Sequence, residues 1–167
     1  MKRVFVTISI LLSAMTAFSQ QIYNIKTSDT EDGRYEQYFG TIKVSGNVLN
    51  GMKDGSWVEN YPNTDIPHFI IQYKEGKKDG LYLEFDKQAC LTKKIDYKND
   101  MIDGLSCTWR KGGIISVRQE YKEGQLDGMS IIYNDKGFIQ EESQYKSGNR
   151  DGMTVWYSYA DKKQGPK

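Results

Sequence analysis

The sequence predicts an all-β protein, a single-layer antiparallel β-meander of repeated 24-residue hairpins that is elongated and curved. Three observations predict this fold. Asp-Gly pairs recur at separations of 25, 24, 24 and 24 residues, aromatic residues lie 12 apart within each unit, and the first half of each unit alternates between apolar and polar residues. Because the connections are too short for crossover helices, neighbouring strands must run antiparallel.

The chain begins with the residue order of a signal peptide. A basic start (Lys2, Arg3) precedes an apolar run over residues 4–12 and small residues before a cleavage site near Ser19 or Gln20. The apolar run is shorter than the roughly 20 residues that a helix needs to cross a bilayer. We therefore expect an exported protein that is periplasmic or extracellular after cleavage.

The whole chain divides into four predicted parts. Residues 1–19 form the leader, residues 20–45 an N-terminal segment with a degenerate first repeat, residues 46–160 the hairpin array and residues 161–167 a tail. Without the two basic residues of the leader, 21 basic residues face 22 acidic ones. This near-neutral balance offers no basic face, so we do not expect nucleic acid as a partner.

The two cysteines, Cys90 and Cys107, are expected to remain unlinked. Two cysteines do not make a disulfide framework. The predicted register places them about four residues out of alignment, and at a strand rise of roughly 3.3 Å per residue this exceeds the reach of about 7 Å between Cα atoms.

The Asp-Gly pairs mark the units of the repeat. We expect each pair to occupy a turn, in which the glycine takes positive φ and the Asp side chain binds its own backbone. An aromatic residue follows each glycine by five positions, or by six in the first unit. The pairs are Asp54-Gly55, Asp79-Gly80, Asp103-Gly104, Asp127-Gly128 and Asp151-Gly152.

Each unit is expected to contain two strands of unequal character. The first alternates strictly, as Leu81, Leu83 and Phe85 illustrate, which predicts one buried face. The second alternates less cleanly, because Gln119 and Ser143 replace apolar residues in later units. We therefore expect the face that these positions share to be only partly shielded from water. A one-layer meander must curl its apolar face into a trough to shield it from water.

The recurring pattern Tyr-Lys-x-Gly-x-x-Asp-Gly-x-x-x-x-aromatic, over about residues 46–157, resembles the MORN repeat and specifically its bacterial variant. The resemblance implies curved, rod-like stacks of β-hairpins that serve as protein-interaction or membrane-association modules. Some bacterial chains of this variant are grouped as antitoxins, which implies an antitoxin-like partner of a toxin as another function. The sequence departs from the commoner eukaryotic pattern, which carries Tyr-Glu-Gly followed by a Gly-x-Gly step.

The sequence contains no motif typical of an enzyme or a cofactor site. The only histidine, His68, has no Cys, Glu or Asp group around it at metal-ligand spacing and is expected to be a lone surface residue. The Asp residues recur with the repeat, whereas an active site is normally singular. We therefore expect no enzyme activity, cofactor or metal.

Two repeated columns are the candidate binding residues. The first is a pair of aromatic ladders that we expect to form the core of the trough and, where the trough stays open, to bind an unidentified protein or peptide. Its members are Tyr61, Phe85, Trp109, Tyr133 and Tyr157, together with Tyr73, Tyr97, Tyr121 and Tyr145. The alternative is a basic edge for a membrane or envelope surface, formed by Lys74, Lys98, Lys122 and Lys146. Glu75 and Glu123 beside two of these lysines favour a merely solvated edge.

Overall fold

The computed structural model describes residues 21–158. A short helix, α1 (Gln21–Asn24), precedes eleven strands that form one sheet in chain order, each antiparallel to the next. The strands are β1 (Gly33–Phe39), β2 (Ile42–Leu49), β3 (Met52–Asn60), β4 (Pro67–Lys74), β5 (Lys77–Phe85), β6 (Leu91–Lys98), β7 (Met101–Arg110), β8 (Ile114–Lys122), β9 (Gln125–Tyr133), β10 (Ile139–Lys146) and β11 (Asn149–Trp156). The predicted all-β meander is confirmed.

The predicted parts of the chain map onto this sheet unevenly. The leader, residues 1–19, and the tail, residues 161–167, lie outside the described residues. The predicted boundary between residues 45 and 46 falls inside β2, and the sheet itself begins at β1. The degenerate first repeat is therefore a hairpin of the same sheet as the array.

The tight hairpin turns use two residues that both have positive φ. Between β4 and β5, Glu75 has a φ of 50° and Gly76 a φ of 78°. This is the signature of a type I′ turn, whose twist matches that of the strands it joins. The equivalent turns are Asn50-Gly51, Asn99-Asp100, Glu123-Gly124 and Ser147-Gly148.

The prediction that the Asp-Gly pairs occupy turns is wrong, because these pairs lie inside strands. In β5, residues 79–81 together oppose the single residue Gln72, which makes a β-bulge. The expected positive φ is confirmed, since Gly80, Gly104 and Gly128 have φ values of 111°, 120° and 125°. The glycine thus bends a strand, and the reversal of the chain occurs a few residues earlier.

The cross-strand register separates two faces of the sheet. We call face A the face on which Trp57, Ile71, Tyr82 and Ile95 lie directly opposite one another across β3 to β6. We call face B the opposite face, whose matching row is Val58, Ile70, Leu83, Lys94 and Cys107.

The best-buried cluster lies on face A in the N-terminal half, under residues 21–30. Ile22, Trp57 and Ile71 are fully buried there. The expectation that the alternating first strands supply the buried face is wrong for most of them. Leu83 is only half-buried on face B, and Met153 is 84% exposed. The reason is that the covering segment packs on face A, so alternation alone does not decide which apolar row is shielded.

Candidate functional site

The two aromatic ladders lie on opposite faces, so the predicted trough lined by both ladders is wrong. Tyr97 pairs with Gly80, on the same face as Tyr82. Phe85 lies five residues after Gly80 on the same strand, and an odd separation along a strand reverses the face. Tyr73, Tyr97, Tyr121 and Tyr145 therefore lie on face A, whereas Phe85, Trp109 and Tyr133 lie on face B. Tyr61 and Tyr157 immediately follow β3 and β11.

Along the tyrosine ladder on face A, the first side chain is buried and the later ones are partly exposed. Tyr73 is buried, and its ring centroid lies 6.5 Å from that of Trp57 in an edge-on contact. Burial raises the pKa of Tyr73 and, to a smaller degree, that of Tyr97. Farther along, Tyr121 is half-buried and donates its hydroxyl to Gln119 at 3.2 Å. The ladder thus continues past the packed cluster.

The N-terminal segment docks on face A as a short peptide. The side chain of Ile22 is fully buried, its backbone N–H donates to Glu59 Oε2 at 3.1 Å, and its carbonyl accepts from Lys53 Nζ. Farther along the segment, Thr27 donates its hydroxyl to the Gly51 carbonyl at 2.8 Å. Face A therefore already binds one peptide through its main chain and one apolar side chain.

Lys53 is the charged centre of this docking site. Its Nζ lies 5.4 Å from the centroid of the Trp57 ring and 5.3 Å from that of the Tyr73 ring, as in cation–π contacts. Burial, with a contribution from the nearby Lys78, lowers the pKa of Lys53 to about 8. The ammonium group is therefore held in a desolvated pocket that is rich in π-faces and contains the Ile22 carbonyl.

Lys78 and Tyr23 extend this site along the sheet. The Nζ of Lys78 lies 4.6 Å from the Tyr23 ring centroid and 5.0 Å from that of Tyr97. Burial lowers the pKa of Lys78, while Asp100 opposes the effect. Burial and the neighbouring Tyr97 raise the pKa of Tyr23 to about 12. Two lysines thus hold the segment through its carbonyl and its aromatic ring.

His68 is not the lone surface residue that the sequence predicts. Its ring stacks on Tyr61 at 4.3 Å between centroids and contacts Phe69 at 3.7 Å. Its Nδ1 lies 3.8 Å from Glu59 Oε1, whose side chain is 1% exposed. Because Glu59 also binds the Ile22 N–H, His68 lies directly behind the docking site. The pairing of β3 with β4 brings Glu59 and His68 together, since Glu59 lies opposite Phe69.

The central row of face A turns polar in the C-terminal half. Beyond Ile95 the residues that lie opposite one another are Ser106, Gln119, Ser130, Ser143 and Thr154. The Gln119 amide donates to Ser130 at 3.2 Å, and the Ser143 hydroxyl lies 3.2 Å from that of Thr154. The apolar row thus ends between Ile95 and Ser106, one strand before the predicted interruption at Gln119.

No protein-family model matches the chain, and no curated protein matches it significantly.

The ladder on face B is mainly structural. Tyr133 is fully buried opposite Ile139, whereas Phe85 and Trp109 are half-buried. Hydrogen bonds link successive units beside this ladder: the Tyr61 hydroxyl donates to the Phe85 carbonyl at 2.8 Å, and the Arg110 guanidinium donates to the Tyr133 carbonyl at 3.1 Å. The Tyr157 hydroxyl donates to Glu142 Oε2 at 2.5 Å.

The four predicted lysines lie at the same end of alternate strands, along one side of the sheet that we call the lysine edge. Lys74, Lys98, Lys122 and Lys146 are all exposed, and each is the last residue of its strand before a type I′ turn. Glu75 and Glu123 occupy two of these turns, each next to a lysine of the row.

A third repeated column escaped the sequence analysis. At three of the bulges the N–H of the residue after the glycine donates to the side chain that opposes the bulge: Leu81 to Gln72 at 2.8 Å, Leu105 to Asp96 at 2.9 Å and Met129 to Glu120 at 3.1 Å. The acceptors are spaced 24 residues apart, each one position before a ladder tyrosine. That spacing was the available signal, but its mixed Gln, Asp and Glu chemistry hid it.

Among the residues that the structure describes, the remaining titratable groups form no further site. Within residues 21–158, no cluster of three or more His, Cys, Asp or Glu side chains is arranged to hold a metal ion. None of the helices in this range has the length and apolar character needed to cross a membrane. Cys90 is exposed and Cys107 buried, and both are free thiols, which confirms the expectation that they are unlinked.

Proposed function

We propose that the chain is an exported repeat scaffold that binds a peptide segment of a partner protein on face A. The observation that supports this most directly is the docking of the chain's own residues 21–27 on that face. Both backbone groups of Ile22 are bound, by Glu59 and by Lys53, and its side chain is fully buried. Main-chain contacts give affinity for a peptide, and a side-chain pocket gives selectivity.

The pocket specifies the kind of peptide. Ile22 packs in a cluster that includes Val44, Trp57, Ile71 and Phe69, which suits a branched aliphatic side chain. The aromatic ring of Tyr23 next to it meets the Lys78 ammonium. A partner segment with an aliphatic residue followed by an aromatic one therefore reproduces the contacts already present.

A peptide that copies residues 21–30 tests this proposal. In the variant Ile22→Asp, a buried carboxylate is expected to unseat the chain's own segment, because burying an unpaired charge is costly. This variant should bind the wild-type peptide added in trans. The same peptide with Ile22→Asp is the matched control and should not bind.

The outcome is read by calorimetric titration after circular dichroism has shown that the protein variant is folded. Equal binding of both peptides, or no binding of either by the folded variant, would contradict peptide recognition at this pocket. The milder variant Ile22→Ala keeps the experiment decisive if Ile22→Asp fails to fold.

A second candidate function is association with an anionic membrane or envelope surface through the lysine edge. It is supported by the exposure of all four lysines along one edge. Reversal of Lys74, Lys98, Lys122 and Lys146 to Glu should then abolish sedimentation with vesicles that contain anionic lipid. Binding of this kind weakens steeply with salt, since exposed charges are screened beyond about 8 Å at physiological ionic strength. Peptide binding on face A should be insensitive to the same reversal.

The resemblance to bacterial MORN-variant repeats supports a binding role over a catalytic one. One form of such binding is that of an antitoxin, in which this chain would bind a toxin. The test for it is whether a toxin-derived segment with the aliphatic and aromatic pair competes with the peptide of residues 21–30.

A further inference from the structure

Successive units of the array are joined by a repeated pair of hydrogen bonds at the type I′ turns. The second turn residue donates its N–H to a carbonyl of the preceding unit, 22 residues earlier in three cases: Asp100 to Lys78, Gly124 to Ile102 and Gly148 to Leu126, at 2.8 to 2.9 Å. The first turn residue donates to the Asp of the preceding Asp-Gly pair: Asn99 to Asp79, Glu123 to Asp103 and Ser147 to Asp127, at 3.1 to 3.3 Å.

The last strand carries the same two acceptors without the donors. Arg150 lies opposite Tyr145 as Leu126 lies opposite Tyr121, and Asp151 is the Asp of the next Asp-Gly pair. Within the described part of the chain, no turn follows β11 that could donate to the Arg150 carbonyl or the Asp151 carboxylate. Among residues 21–158, the two acceptors at the outer edge of β11 therefore lack the turn donors that their counterparts in earlier units have.

The side chains of β11 are also exposed where their counterparts in earlier strands are covered. Met153 is 84% exposed and Trp156 65% exposed, whereas Leu105 and Met129 at the position of Met153 are half-buried. Arg150 and Asp151 stand at the start of β11, whereas residues 153–156 carry no charge. Charged residues protect an open edge from pairing, so residues 153–156 are the less protected part of this strand.

We propose that the outer edge of β11 is a docking site for a β-hairpin of this repeat's own type, carried by a protein other than a second copy of this chain. Its strand would add to the sheet, and the two N–H groups of its type I′ turn would donate to the Arg150 carbonyl and the Asp151 carboxylate. A single strand leaves both acceptors unfilled, which is why a hairpin is the occupant. The site goes beyond the proposed function, because it uses the sheet edge and not face A.

The test uses the full chain and a synthetic peptide that copies residues 114–133, the hairpin of β8 and β9. The peptide should bind, and the amides of residues 153–156 should gain protection from hydrogen exchange. The change Asp151→Ala should weaken binding about tenfold or more, as expected for a lost hydrogen bond to a charged group. Asp65→Ala, at an exposed acid in the loop after β3, is the matched control and should leave binding unchanged.

A second pair of variants addresses the strand itself. Met153→Lys places a charge on the edge and should reduce binding, whereas Tyr38→Lys on the opposite edge, at a residue that is 62% exposed, should not. Both residues are exposed, so both variants should retain the wild-type circular dichroism and melting temperature.

Four outcomes would overturn the proposal. They are no binding of the peptide at millimolar concentration, exchange protection on β1 or face A in place of β11, binding only after removal of residues 159–167, and concentration-dependent self-association of the chain that protects β11. The third would assign the edge to the chain's own tail and the fourth to a second copy. The first, third and fourth leave peptide binding in the Ile22 pocket untouched, and protection on face A would instead be an outcome in favour of that pocket.

Discussion

At the scale of single residues, the bulge glycine Gly104 is favoured for two reasons, whereas Gly112, in the turn between β7 and β8, is favoured for one. Gly104 has a φ of 120°, and a Cβ at this position would lie 2.9 Å from the Cβ of Asp96. Gly112 has a φ of 87°, but a Cβ there would meet nothing within 4 Å. The first position therefore combines backbone strain with a steric contact, and the second has strain alone.

Replacement of these two glycines by alanine should separate the two effects. We expect Gly112→Ala to lower the free energy of unfolding by about 1 kcal/mol, the cost of a left-handed conformation for a residue with a Cβ. Gly104→Ala should cost clearly more, because Asp96 must also shift. Urea denaturation of both variants measures the difference. Equal losses would mean that the contact with Asp96 is relieved without cost.

The depressed pKa of Lys53 predicts a pH dependence of stability. Its pKa is about 8 in the folded protein and near the ordinary 10.5 in the unfolded chain. Between these values the unfolded chain binds more protons, so the free energy of unfolding should rise with pH by at most about 1.4 kcal/mol per unit. Below pH 8 the cost of the buried charge is fully present.

Denaturation of the wild type and of Lys53→Met between about pH 7 and 9.5 tests this prediction. The variant should show a smaller rise, and the remainder is expected from Lys78, whose pKa is also lowered. The range stops at 9.5 because burial raises the pKa of Tyr73 and Tyr82. Above about pH 10 their unfolded forms lose protons first and stability falls. Parallel curves for the two proteins would contradict the desolvated state of Lys53.

At the scale of elements, each bulge depends on a side chain from the neighbouring strand. The bulge in β5 removes the Leu81 N–H from the regular ladder, and the Gln72 side chain accepts it at 2.8 Å. A buried N–H without a partner is costly, so this contact explains why the strand tolerates the irregularity. The bulge in β5 is therefore stable only while the Gln72 side chain accepts the Leu81 N–H.

Removal of this acceptor should destabilise the sheet. Gln72→Ala is expected to lower the free energy of unfolding by about 1 to 3 kcal/mol, the usual cost of an unsatisfied backbone group. Gln72→Glu keeps an acceptor oxygen, as Glu120 does in a later unit, and should lose much less. Chemical denaturation compares the two, and an equally large loss for Gln72→Glu would argue against the hydrogen bond as the cause.

At the scale of the whole molecule, the docked segment lies directly after the predicted leader. Ile22 lies within three residues of the predicted cleavage site near Ser19 or Gln20. Export would therefore place the new N-terminus beside the face A pocket. Intact-mass measurement of the periplasmic or secreted protein should show a chain that begins at Gln20 or Gln21. Recovery of only the full-length chain from the cytoplasm would contradict export.

The sequence by itself determined the number of repeats, their antiparallel order and the positive φ of the bulge glycines. These features depend on local terms: the short connections allow only antiparallel pairing, and glycine alone takes such φ values without strain. The exposed lysine edge was predictable for the same reason, since each lysine adjoins a turn.

Only the tertiary structure decided which face is covered and how the aromatic ladders divide. The cover comes from residues 21–30, far along the chain from Ile71 and Tyr82, and no local pattern encodes that contact. The bulge at residues 79–81 places three residues opposite one, so the pairing of strands does not follow from spacing alone. Because a pleated strand reverses its face at every residue, the five-residue step from Gly80 to Phe85 separates the two ladders.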